Sequence, residues 1–274
     1  MDGKEYSIPV RAKETSPAGS VSRRGFLAAG AGAAFAACHN DGNDVTMDAG
    51  LTKNPVSFGL VADLHYAEKD AWNTRCYRDS GDKLRACVET LGRLGADFIV
   101  ELGDFVDKAD KETEYGYLAT IDGIFSGFPG DRHYVLGNHD VATFSKTEFI
   151  RGCGARKNYY SFDFYGTHFI VLDANYRMDG VPYDAGNFDW TDTIVPDSEI
   201  RWLEYDLGES DCERAIVFIH QNLHDENDPH GVKNAPDVRA VLDKAGTVAA
   251  VFQGHMHSGG YTEVGGIPYV TLRA

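Results

Sequence analysis

The sequence predicts an α/β fold whose first half carries parallel strands. Between residues 56 and 140, short apolar runs of strand length alternate with segments of helical periodicity. That β-α-β-α-β order supplies the helical crossovers that parallel strands need. Size agrees: 274 residues, 43% hydrophobic and 25% charged, suffice for one large domain with a real core, or two small ones.

The first strand is VSFGLVAD (56–63). From Asp79 to Leu94, apolar residues at Leu84, Cys87, Val88, Leu91 and Leu94 fall at helix spacing, with Gly95 where a C-terminal cap belongs. DFIVELGD (97–104) is the second strand, residues 111–125 a helix with Tyr117, Leu118, Ile121 and Phe125 inward, and RHYVLGNHD (132–140) the third strand. The pattern then changes: 158–174 reads as a hairpin about Tyr165-Gly166, rich in aromatic and β-branched residues. A long Gly- and Asp-rich loop (175–196) comes next, of a length often found in functional loops. Pro196-Asp197-Ser198 opens a helix with Ile200, Leu203 and Leu207 on one face. AIVFIH (215–220) is a strand, 236–245 a helix, TVAAVFQGHMH (247–257) a strand, and 260–272 a closing hairpin turning at Gly265-Gly266.

The formal charge of −16 argues against a nucleic-acid surface, which needs a basic footprint. Cys38, Cys76, Cys87, Cys153 and Cys212 include no CxxC pair, so a zinc-thiolate knuckle is not expected; the last four suit either disulfides or buried thiols. Ahead of the domain, Arg23-Arg24 precede a 12-residue apolar run, Phe26 to Ala37, too short for a bilayer core that needs ~20 residues. Its shape is that of an export signal, and the paired arginines with Phe26-Leu27 resemble a twin-arginine signal handled by the twin-arginine export machinery. Residues 1–38 are therefore expected to be the signal, 39–54 a polar linker and 55–274 the domain. The implied destination is the periplasm or cell surface, with Cys38 open either to lipid attachment or to simple cleavage nearby.

Five apolar strands end in polar residues: Asp63/His65, Asp104, Asn138/His139, His220 and His255/His257. One such Asp is usually a turn former, and one such His usually a hydrogen-bonded structural residue. Five together differ, because parallel strands deliver their carboxyl ends to one rim, where sites form. Two Asp, one Asn and four of these five His offer oxygen and imidazole ligands without thiolate, which suits Mn, Fe, Zn, Co or Ni rather than a calcium cage. Seven ligands are too many for one tetrahedral centre and suit two metals that share a carboxylate.

In order, Asp63-Leu64-His65, Gly103-Asp104 with Asp107 three residues on, Gly137-Asn138-His139-Asp140, His220 and Gly254-His255-Met256-His257 resemble the motifs of the calcineurin-like metallophosphoesterases over roughly residues 56–272. The resemblance implies a metallo-dependent phosphatase-like fold: two mixed β-sheets packed as a sandwich flanked by helices. It implies Asp63, His65 and His257 on one divalent transition metal, Asn138, His220 and His255 on a second, and Asp104 bridging. The ions would generate hydroxide to cleave a phosphate ester or pyrophosphate in line. His139 would face the substrate as an acid, and Asp107 would either orient His139 or cap the helix at 111–125. Gly137 fits a tight bend that would let the adjacent Asn138 and His139 point at two different partners.

Asp107 stands where purple acid phosphatases place a tyrosine, so a ferric-tyrosinate centre is not expected. Gln221-Asn222 stands where relatives often carry a proline two residues after the histidine. ADLHYAEKD, RCYRDSGDKLRACVE and GHMHSGGY resemble the manganese-dependent ADP-ribose/CDP-alcohol diphosphatase branch, which favours Mn and a small phosphorylated substrate. Arg75 and Arg78 would then sit near the site mouth; a solvated helix start is the simpler reading of both. The loop HDENDPH (224–230) is expected to be a solvated connection rather than an entrance wall. The rival function is a non-catalytic exported metal- or surface-binding lipoprotein of the same fold.

Overall fold

The computed structural model describes residues 26–29, 33–37, 56–73 and 75–274. The rest of the predicted signal 1–38, Cys38 with it, and the predicted linker lie outside the described residues. In the first sheet, β1 (Phe26–Ala29) and β2 (Ala33–Ala37) form an antiparallel pair, and β2 pairs antiparallel with β3 (Ser57–Val61). Then β3, β4 (Phe98–Glu101) and β5 (Asp131–Tyr134) run parallel. The second sheet has the order β10-β11-β9-β8-β7-β6, built from β6 (Tyr160–Phe164), β7 (Thr167–Val171), β8 (Arg214–Phe218), β9 (Val248–Gln253), β10 (Ser258–Val264) and β11 (Ile267–Arg273). Here β7, β8, β9 and β11 are parallel and only the edges β6 and β10 are antiparallel. Both sheets are mixed.

The sheets close on an aromatic layer. Phe58 of β3 stacks on Phe98 of β4 at 5.2 Å and meets Phe169, Phe218 and Phe252 of the facing sheet edge-on at 5.7, 5.7 and 5.8 Å. Each such pair adds about 0.5–1.5 kcal/mol beyond its buried area. Outside the first sheet pack α1 (Asp79–Leu94), α2 (Lys111–Phe125) and α3 (Lys146–Cys153). Outside the second pack α4 (Asp197–Glu209) and α5 (Ala235–Ala245). Among the described residues no helix is long and apolar enough to cross a membrane.

The predicted bounds of α1 and α2 match the structure, and Gly95 caps α1 at φ 71°. Two readings change. The N-cap of α2 is Asp110, whose side chain accepts from the Thr113 N–H, so Asp107 is not the cap. The predicted strand 132–140 stops at Tyr134, and 139–141 is a 3₁₀ turn. Cys76, Cys87 and Cys153 are free thiols, so no bridge joins them.

His168 on β7 is a rivet. Its ring nitrogens meet Asp163 on β6 at 2.6 Å and Asp206 on α4 at 2.8 Å. Burial opposes the charged ring, but the two carboxylates outweigh it and raise His168 above its ordinary 6.5. A raised folded pKa means that this stability is fully present below about pH 6.5 and is lost as pH rises through the folded value. Urea midpoints measured across that range should fall with pH for the native chain, and the fall should flatten in His168→Gln.

Candidate metal centre

Every parallel strand except β11 delivers a polar segment to the same rim. The loops after β3 and β4 are zipped together by backbone bonds from Asp63 N–H to Gly103 (3.0 Å) and from His65 N–H to Asp104 (2.8 Å). Those after β8 and β9 are joined by Gly254 N–H to His220 (3.0 Å). Two contacts then tie the sheets to each other. His255 N–H donates to both Asp63 oxygens, at 3.0 and 3.1 Å, and His220 Nδ1 donates to the Leu102 carbonyl at 2.8 Å.

Four of the predicted ligands hold left-handed backbone: Asp63 (φ 53°), His65 (44°), Asp104 (60°) and His255 (66°). For residues other than glycine this costs on the order of 1–3 kcal/mol each, and such strain gathers at functional sites. Gly137, by contrast, is not left-handed. A Cβ there would lie 2.1 Å from Asp104 N and 2.2 Å from its Oδ1, so this glycine serves close approach rather than an unusual turn.

Six of the seven predicted ligands converge as two clusters. One ligand atom each from Asp63, His65 and His257 lie within 4.8 Å of one another, as do those from Asp104, His220 and His255. Asp104 Oδ2 faces both groups, 3.5 Å from His65 Nε2 and 3.3 Å from His220 Nε2. The Nε2 atoms of His65 and His257 approach to 3.1 Å. The seventh, Asn138, directly precedes His139, whose backbone N–H donates to Asp104 Oδ1 at 2.8 Å. Asn138 Oδ1, His220 Nε2 and His255 Nε2 are buried without a hydrogen-bond partner among the described residues. His220 Nδ1 donates to a carbonyl, which fixes Nε2 as the ring atom that faces Asp104 and would meet an ion. Burial first of all drives His65 and His255 well below the ordinary imidazole range, which keeps their lone pairs free. Buried acceptors aimed at one another are costly unless a cation lies between them. The oxygen and imidazole donor set fits two divalent transition ions.

Beside the clusters lies a dyad. His139 Nδ1 is 2.7 Å from Asp107 Oδ1. Burial opposes the charge of His139, while Asp104 and Asp107 outweigh burial and raise it. Its ring stands 4.5 Å from that of His65, and its side chain is 24% exposed whereas that of His65 is 3% exposed, so His139 is the outward member of the dyad and Asp107 the buried one.

Asp140 has a clear task. Its carboxylate accepts from the backbone N–H groups of Asp104 (3.0 Å), Phe105 (2.9 Å), Val106 (3.3 Å) and Gly137 (2.9 Å). It thus fastens the loop of Asp104 to that of Asn138. Arg75 and Arg78 part company: Arg78 pairs on the surface with Asp70 at 2.8 Å, whereas Arg75 lies near enough to His65 and His139 to act on both electrostatically. The loop 224–230 does reach the site, against expectation. His230 and Trp190 stand 5.2 Å apart and lie 5.2 and 5.4 Å from the His255 ring, so the two long loops form one wall of the entrance.

Known proteins agree with this architecture. Residues 56–259 match the family model described as calcineurin-like phosphoesterase. The chain is 26% identical over 283 aligned positions to the manganese-dependent ADP-ribose/CDP-alcohol diphosphatase of Danio rerio, covering 80% of this chain and 88% of that protein. A crystal structure of a dimetal phosphatase from Danio rerio shares the fold, with a TM-score of 0.70 at 23% identity over 80% of this chain and 87% of that one. The rim of paired carboxylates and imidazoles, and a family match that spans most of the domain, lead to one conclusion: this chain belongs to the calcineurin-like phosphoesterase family.

Proposed function

We propose that this metallophosphoesterase hydrolyses the pyrophosphate bond of small nucleoside-diphosphate-linked molecules. The observation that supports the hydrolytic reading best is a trio of buried atoms, on Asn138, His220 and His255, that lack a hydrogen-bond partner among the described residues, two of them, on His220 and His255, gathered with Asp104. In our assignment Asp63, His65 and His257 hold one ion, Asn138, His220 and His255 the other, and Asp104 both. When bound, such a pair clamps phosphoryl oxygens and makes hydroxide available near neutral pH. His139, with Nδ1 held by Asp107, keeps its other nitrogen for the substrate and delivers a proton to the leaving oxygen. Lys69, 3.4 Å from Asp107 Oδ2, helps hold that carboxylate as a charged partner.

The substrate class draws support from the similarity to the diphosphatase and from the entrance. Trp190 is 40% exposed and stands next to His255, where a flat base can stack on it. Base–aromatic stacking is worth about 1–3 kcal/mol. Trp190→Ala should therefore raise KM for ADP-ribose by roughly tenfold and leave KM for an aryl monophosphate unchanged, as steady-state kinetics with Mn²⁺ will read. The reading as a whole is tested by a Mn²⁺-supplemented rate panel of ADP-ribose, an aryl monophosphate and a bis-aryl phosphate. ADP-ribose should have the highest kcat/KM; preference for either aryl ester would reject the diphosphatase assignment.

We further propose export through the twin-arginine route. The support is sequence alone: Arg23-Arg24 before Phe26-Leu27 and the short apolar run that ends at Cys38. This route suits a protein that folds around its metals before translocation. The mass of the mature N-terminus, compared with that of Cys38→Ser, separates simple cleavage from a lipid anchor in the periplasm or at the cell surface.

A further inference from the structure

The loop after β7 carries none of the predicted metal ligands and not the proton-donating histidine, yet it opens on Asp173 and Asn175, both fully buried on the same rim. Asn175 Nδ2 donates to the Leu136 carbonyl at 2.7 Å, and its Oδ1 accepts from Gln221 Nε2 at 2.7 Å. Leu136 lies two residues before Asn138, and Gln221 directly succeeds His220. One amide therefore links the end of β5 in the first sheet to the end of β8 in the second. It spans the two arms whose buried acceptors, Asn138 Oδ1 and His220 Nε2, have no hydrogen-bond partner among the described residues.

The amide is itself held. The Asn175 backbone N–H and Nδ2 both donate to Asp173 Oδ1, at 2.9 and 3.0 Å. Asp173 Oδ2 in turn accepts from Lys146 Nζ at 2.6 Å, and the Asp173 N–H donates to Glu199 at 2.7 Å. The Asn175 side chain thus has one rotamer satisfied at both ends. Asp63, His65 and His257 receive no bond from this chain of contacts. Gln221 also gains a purpose, for a residue without a donor at that position would leave Asn175 Oδ1 unpaired.

From this geometry we infer that Asn175 is a positioning residue that, with Gln221, sets the spacing of the Asn138 and His220 arms and so the affinity for the second ion alone. The inference rests on the two-ion assignment above. It predicts a selective defect, because groups that orient metal ligands typically govern roughly 10–100-fold in affinity.

The test is Mn²⁺ titration of the full chain, read by electron paramagnetic resonance and calorimetry, with far-ultraviolet dichroism as a check of folding. Wild type should take up two ions. Asn175→Ala should bind the first as wild type does and the second roughly 10–100-fold more weakly, with kcat recovered at saturating Mn²⁺. Gln221→Leu, which keeps volume and deletes one arm, should show the same selectivity to a smaller degree, and the double variant should be no worse than Asn175→Ala. If Asn175→Ala does not fold, Gln221→Leu decides on the same readout. Equal weakening at both sites, or none at either, overturns the inference. A wild-type chain that takes up a single ion would instead overturn the two-ion assignment, and the inference with it.

Discussion

Asp104→Asn should abolish turnover and lower Mn²⁺ affinity by more than about 100-fold, the upper figure for residues that merely orient ligands. The side chain is 2% exposed, its Oδ2 lies 3.3 and 3.5 Å from two imidazoles, and its Oδ1 accepts the His139 N–H. An amide in its place brings an NH₂ group toward one of these partners and removes the negative charge that both ions share. Burial works against that charge, yet His220 and His139 hold the carboxylate well below the ordinary range. The site is therefore built around an anion at this point. Metal content after dialysis, with kcat/KM at high Mn²⁺, checks the prediction; near-native affinity would remove Asp104 from the bridging position.

His139→Asn should leave metal binding intact and still cost most of the rate. His139 gathers with His65 and Asp107 rather than in either assigned ligand set, and its Nδ1 is taken by Asp107, so two ions should remain bound. Turnover should fall about 10²–10⁴-fold, the span expected for loss of a positioned acid. The effect should shrink for substrates with good leaving groups, which need no proton. Metal-replete kinetics with a series of leaving groups measures both parts, and unchanged turnover would reject the role. Asp107 holds the ring at 2.7 Å and itself takes a backbone N–H from Lys108 at 2.9 Å, so its removal should produce a milder version of the same defect.

Most of the candidate ligand set is legible in the sequence because each candidate lies within a few residues of a buried apolar run. A strand that is buried on both faces announces itself, and the residues after it must emerge at the rim. Asp63, His65, Asp104, Asn138, His220, His255 and His257 all have that form, and the structure carries them to one edge. Their supports are less legible. Asp140 is visible as a motif residue, but its partners Phe105 and Val106 lie 35 and 34 positions away and offer only backbone N–H groups, which leave no mark in a sequence. Asn175 sits after a strand as the candidate ligands do; the signal is present in FIVLDAN, but with no histidine after the strand it reads as loop. The competing readings of Asp107 differ only in where its side chain turns, and that depends on tertiary contact with His139.

The same distinction holds for the fold. Helices α1 and α2 are readable from periodicity and caps, whereas α3 escapes periodicity because its 8 residues bury only Phe149 and Cys153. Its sequence marker is the capping box, Ser145 with Glu148 three residues on, whose reciprocal bonds the structure contains. The third strand is shorter than its sequence suggests, since Val135 and Leu136 continue its apolar run after pairing with β4 has ended at Tyr134. The entrance wall of Trp190 and His230 is unreadable for another reason. Two loops distant in sequence meet at His255, and neither carries a motif.

Two coupled divalent ions held around Asp104 are the central claim. Metal analysis of the purified full chain, joined to electron paramagnetic resonance of the Mn²⁺-loaded form, tests it most directly. The expected result is two Mn²⁺ per chain with the exchange-coupled spectrum of ions ~3.5–4 Å apart. One ion per chain, or two with the uncoupled six-line spectrum of isolated Mn²⁺, would contradict it.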